Sequence, residues 1–169
     1  MRNKIFSGSH ARCVVAACIL SITAFLMFSQ TALAEGWSGI EPLKSRRADV
    51  EKILGQPFKD QPGNNGTLHF KVAGGVATVV FIDAKFVVAK RLSPNLEGTV
   101  RQIVLQHENS SDTPESMGLA GKADFKREDG QGVLKYSNLK TGIVYTFIGG
   151  KLKTTYFTPS TDEWTRAQK

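Results

Sequence analysis

Cysteine is almost missing from this chain: of 169 residues, only Cys13 and Cys18 carry a thiol, and both lie within the first 34. A chain cut after that point has no disulfide, no thiolate metal ligand and no cysteine nucleophile. Histidine is nearly as scarce, with only His69 and His107 beyond those 34 residues. No H-x-x-x-H, C-x-x-C or compact acidic loop is present, so neither a metal nor any other cofactor is expected. Nothing resembles a nucleophile elbow. Gly74-Gly75 and Gly149-Gly150 lack the lysine and helix that would follow in a phosphate loop and read as hairpin turns. A stripe of positive charge is absent too. Lys44, Arg46, Arg47, Lys90, Arg91, Lys122, Lys126, Arg127, Lys151 and Lys153 are scattered among acids, which argues solubility rather than nucleic-acid binding.

What is present begins at the N-terminus. Arg2, Lys4 and Arg12 form a basic start, residues 13–28 are almost purely apolar, and Ala32-Leu33-Ala34 precedes Glu35. This is the three-part pattern of a secretory signal peptide over residues 1–34. Ala32 and Ala34 suit the narrow pocket of a signal peptidase, so cleavage is expected between Ala34 and Glu35. The product is an exported protein, periplasmic or extracellular, with no stable membrane span. Two competing readings are an uncleaved anchor, since roughly 17–25 apolar residues can cross a bilayer, and lipidation at Cys18 after Val15-Ala16-Ala17. Cleavage leaves 135 residues, enough for one domain with its own core. It removes three of the 22 Lys and Arg and none of the 15 Asp and Glu, so a formal charge of +7 becomes +4.

Within residues 35–169 the pattern reads as a single α+β domain: one or two short helices on a mainly antiparallel sheet. Ser45, Gly55 and Pro57 mark the ends of a helix whose face carries Val50, Ile53 and Leu54. Residues 67–72 alternate, and after Gly74-Gly75 residues 76–82 are apolar on both faces, as in an interior strand. Residues 100–106 form a further strand, and 85–90 a short one before the Ser93-Pro94-Asn95 turn. Three more strands follow at 132–136, 142–148 and 151–157, with a helix start at Thr113-Pro114-Glu115 ahead of them. Leu134 and Tyr136 match Leu68 and Phe70, Gly142-Ile143 matches Gly75-Val76, and 152–157 matches 100–105. A helix-plus-meander unit used twice, over 43–107 and 113–158, stands beside an ordinary succession of hairpins. The expected core is Val50, Ile53, Leu54, Phe70, Val80, Tyr136, Ile143 and Phe147.

The run Ser45 to Pro57, of the form S-x-x-x-D-V-x-x-x-L-G-x-P and followed by antiparallel strands, resembles the helix-to-strand passage of the SmpA/OmlA outer-membrane lipoproteins and the wider beta-lactamase-inhibitory-protein-like group. The chain from Trp37 through Pro42-Leu43, Asp49-Val50, Tyr136-Ser137-Asn138, Gly142-Ile143 and Tyr156-Phe157-Thr158-Pro159 is also similar to a set of secreted bacterial proteins without assigned function. The first resemblance implies a protein that holds or inhibits another on an exposed sheet. The chain lacks the N-terminal cysteine of the lipoproteins and the paired cysteines of the inhibitors, so neither anchoring nor a specific target follows.

The expected function is therefore non-catalytic binding of a protein or cell-envelope component. The 16-residue connection 83–98 mixes apolar and cationic side chains, and Phe86, Lys90 and Arg91 are its candidate contacts. Against this stands the bland reading in which Phe86 and Val88 extend the core sheet. Two other functions compete: a small hydrolase or metal-assisted enzyme using His107 and Glu108, and a structural subunit of an envelope assembly.

Overall fold

A computed structural model describes residues 36–61 and 66–169, with the side chains of 59–61 left aside. The expected cleavage site at Ala32, Ala34 and Glu35 lies outside the described residues. Among the described residues no helix is long and apolar enough to cross a membrane.

The chain is an α+β fold dominated by one antiparallel sheet. Its elements are α1 (Arg47–Leu54), β1 (Lys59–Gln61), β2 (Thr67–Val72), β3 (Gly75–Phe81), α2 (Ala84–Lys90), a short 3-10 helix (Pro94–Leu96), β4 (Val100–His107), β5 (Lys126–Gly130), β6 (Val133–Asn138), β7 (Ile143–Ile148), β8 (Lys151–Phe157) and α3 (Thr161–Ala167). The strand order is β1-β2-β3-β4-β8-β7-β6-β5. Two four-stranded meanders thus meet along their last strands, with Ile103 opposite Phe157 and Leu105 opposite Thr155.

Successive side chains of a strand point to opposite faces, and residues paired across strands share one. The register therefore sorts the whole sheet. One face carries Leu68 and Phe70, Ala77, Val79 and Phe81, Ile103 and Leu105, then Phe147, Leu152 and Tyr136. All of these are buried. Val50 of α1 and Ile40 join the first meander's side chains in one cluster. Leu119, helped by Met117 and Phe125, closes the second meander's cluster. A third cluster, Ile82, Val87 and Leu92, packs with Phe86, Leu96 and Trp164 and binds α2 to α3.

Five sequence expectations are corrected. The stretch expected to be a strand at 85–90 is α2. Its Val-Val pair favours β structure, but the Asp83 carboxylate accepts the Phe86 N–H at 2.6 Å and Arg91 closes the helix in the left-handed region, φ 53°. Local capping outweighs weak strand propensity. The helix expected from Thr113 is a set of turns, in which Thr113 Oγ1 accepts from the Ser116 N–H and Gly118 takes φ 61°. Ser45 does not cap α1. Its hydroxyl accepts the Glu41 N–H at 2.9 Å, while the Asp49 carboxylate accepts the Arg46 N–H at 2.8 Å. Two core assignments also change: Ile53 is 44% exposed, and Val80 is only half-buried, on the other face of the sheet.

Candidate functional site

Among the described residues, nothing forms a core cluster on the second face of the sheet, which is left open. The register places on it His69 and Lys71 of β2, Val76, Thr78 and Val80 of β3, Gln102, Val104 and Gln106 of β4, and Thr154 and Tyr156 of β8. Beyond the seam come Val144, Thr146 and Ile148, then Val133, Lys135 and Ser137, then Lys126 and Glu128. Of these only Ser137 is buried, and none belongs to a core cluster. Two large exposed apolar side chains, Ile148 at 50% and its partner Val133, lie at one end. A third, Phe58, marks the other end: it is 53% exposed, its ring lies 6.1 Å from His69, and the Lys71 ammonium sits over it at 5.9 Å.

The charge on this face is predominantly positive. Lys71, Lys126, Lys135 and Lys151 project from it, and Glu128 is the only carboxylate among the described side chains there. That carboxylate is occupied: Lys126 Nζ lies 2.8 Å from Oε1 and Lys135 Nζ 3.2 Å from Oε2. The hydrogen bond from Lys126, then that from Lys135, lowers the Glu128 pKa, and the same contact raises that of Lys126. The face is thus an apolar and threonine-rich surface with a cationic excess.

The sequence candidates in the 83–98 connection lie elsewhere. Phe86 does not extend the sheet. It sits on α2 with its ring 5.9 Å from that of Trp164, and the Arg101 guanidinium lies 4.9 Å from its centroid. Val88 faces outward at 79% exposure. Phe86 and Lys90 line one cavity together with Trp164 and Gln168 of the C-terminal segment. Arg91 is not brought to that cavity's wall; its backbone carbonyl instead accepts the Lys169 N–H at 2.9 Å.

The sequence reading overlooked α3, although its signal was present. Ser160-x-x-Glu163 is a capping box: the Ser160 hydroxyl accepts from the Glu163 N–H at 3.2 Å, and Glu163 Oε2 accepts from the Ser160 N–H at 2.9 Å. The open face was overlooked for a different reason. Valines on both sides of β3 suggest burial on both sides, yet a strand can be central in its sheet and bare on one face.

The histidines do not meet. His69 belongs to the open face, its Nδ1 3.0 Å from Thr78 Oγ1. His107 belongs to the covered face, its Nε2 2.9 Å from Thr155 Oγ1. Burial lowers the His107 pKa below 6.5 and outweighs the opposing charge of Asp112. Among the described residues no three His, Cys, Asp or Glu side chains converge as a metal site would need.

Fold and surface together define an α+β protein, mostly antiparallel sheet, with one covered face and one left open among the described residues. No family model matches the chain. No curated protein matches it either. Among solved structures the chain is similar to a DUF4309 family protein (YjgB) from Bacillus subtilis subsp. subtilis str. 168, with a TM-score of 0.48 and 13% identity over 72% of this chain and 83% of that one. So distant a likeness carries no activity across. The resemblance to SmpA/OmlA finds no support in these comparisons.

Proposed function

We propose that the chain is an exported, non-catalytic binding module that holds an acidic protein surface of the cell envelope against the open face of its sheet. One observation carries the reading: a sheet eight strands wide leaves one face uncovered among the described residues, with Phe58, Val133 and Ile148 exposed on it. Apolar and aromatic groups ringed by cations are the composition of protein-binding surfaces. Four lysines against one carboxylate favour an acidic partner and disfavour a second copy of the same face, since like charges across an interface are costly. The leader pattern supports export. The reading places the partner on this face rather than on Phe86, Lys90 and Arg91.

The test is affinity capture from envelope and culture-fluid fractions with the tagged protein, alongside Lys71→Glu/Lys151→Glu and Phe86→Ala/Arg91→Ala variants. The charge-reversed protein is expected to lose the captured partner by at least tenfold, and capture by the parent to weaken as salt rises. The second variant is expected to retain it. Loss with the second variant alone would overturn the reading in favour of the α2 connection. Capture unaffected by charge reversal would overturn it outright.

A further inference from the structure

The cleft between α2 and α3 is independent of the open face and has its own chemistry. Its cavity measures about 330 Å³ and is lined by Phe86, Lys90, Trp164 and Gln168. That volume is at the lower end of the roughly 300–1,000 Å³ of small-molecule sites, so an occupant of one ring with a short substituent fits it. Two aromatic rings, tilted by 52° with centroids 5.9 Å apart, supply its apolar surface. Lys90 is the cationic residue of its lining, and the Arg101 guanidinium lies against the Phe86 ring.

Neither cation is neutralised: among the described residues, neither Lys90 nor Arg101 takes part in an ion pair. Asp83 and Glu163 are committed to capping, the first to α2 and the second to α3. The cleft is also held in shape. Leu92 pairs with Gln168, the Ser93 N–H donates to the Ala167 carbonyl at 3.0 Å, and the Lys169 N–H donates to that of Arg91. These backbone bonds fix the end of α3 against the end of α2, so the walls come from two elements clamped together.

We infer that this cleft binds a small aromatic carboxylate, its ring against Phe86 and Trp164 and its anionic group toward Lys90. Ring-on-ring contact and a charge-assisted bond to an ammonium act at opposite ends of such a molecule. Gln168, which also lines the cavity, brings a neutral amide to the same cleft. An uncharged analogue leaves the cations without a partner, and an acid without a ring leaves the aromatic walls wet. A free arene acid and the terminus of a peptide ending in an aromatic residue present this same chemistry.

The test follows the two indole N–H resonances of the ¹⁵N-labelled protein, Trp164 as reporter and Trp37 as internal control. Phenylacetate, phenylacetamide, acetate and N-acetylglycylphenylalanine are titrated in turn. Phenylacetate is expected to shift Trp164 saturably with Kd on the order of 1 mM or tighter, leaving Trp37 unmoved. Phenylacetamide and acetate are expected to bind at least tenfold more weakly. Lys90→Ala should abolish the preference for acid over amide, and Lys90→Arg should restore it. Tighter binding of the peptide than of phenylacetate assigns the cleft to chain termini; weaker binding assigns it to free acids. Equal affinity for phenylacetate and phenylacetamide, or no saturable shift of Trp164 with either acid, overturns the inference. Neither result bears on the open face, which shares no residue with the cleft.

Discussion

His107 Nε2 and Thr155 Oγ1 lie 2.9 Å apart, 48 residues distant in sequence, and join β4 to β8 where the two meanders meet. Partial burial favours the neutral imidazole, so the folded pKa lies below 6.5. As pH falls through 6.5 the unfolded chain takes up this proton before the folded one, and stability drops until the folded pKa is reached. Denaturant unfolding of the parent and of His107→Gln across that range should show the parent losing more stability on acidification. Parallel curves would mean that His107 is not the group responsible.

Gly75 opens the third strand of the first meander and Gly142 immediately precedes the third strand of the second, and each is pressed against a carbonyl. A Cβ on Gly75 would stand 1.9 Å from the Gln106 oxygen, and one on Gly142 1.8 Å from that of Thr158. Both residues also have positive φ, 156° and 72°. Gly75→Ala and Gly142→Ala should each cost on the order of 3 kcal/mol or more by chemical denaturation. Gly149→Ala, with nothing within 4 Å of its Cβ, should cost only about 1–2 kcal/mol for the left-handed backbone.

Phe70 and Phe147 anchor the two sheet clusters and are 1% and 0% exposed. Truncation of either to alanine should lower stability by about 3–5 kcal/mol. Ile53→Ala, on the outer side of α1, should cost less than about 1 kcal/mol. A large loss at Ile53 would show that the helix face has been assigned wrongly.

Ser160 and Glu163 are both buried, and the Ser160 hydroxyl also donates to Glu163 Oε2 at 3.1 Å. Ser160→Ala removes the cap of α3 and one partner of a buried carboxylate, and should cost about 1–2 kcal/mol. Because α3 carries Trp164, loosening of that helix should be read in tryptophan emission before the global transition. Emission changing only with global unfolding would mean that the cap holds nothing locally.

The strands were legible because alternation survives wherever one face is covered: the expected 67–72 and 151–157 coincide with Thr67–Val72 and Lys151–Phe157. The pairings of Leu68 with Leu134 and of Gly75 with Gly142 place residues at corresponding strands of the two meanders. The charged edge strand Lys126–Gly130 was not legible, since every side chain in it is exposed and no apolar period marks it. Nor was α2, whose identity rests on a single carboxylate at its start. The candidate residues divide in the same way. Phe86 and Lys90 were singled out for composition and do share a cavity wall, but the partner ring of Trp164 is 78 residues away in sequence and no local pattern announces it. The open face is a property of what fails to pack on it, and a strand's own sequence does not carry that.

The same edge strand decides how far the sheet can grow. β5 ends the sheet with Lys126, Arg127, Glu128 and Asp129 in a row, cross-linked as Lys126–Glu128 and Arg127–Asp129. A visiting strand would have to strip water from all four charges to reach the free backbone groups. The opposite margin is a strand of only three residues. Both margins of the sheet therefore resist edge-to-edge pairing, one by charge and the other by shortness, so the ladder has no inviting edge at which a second molecule's strand could continue it.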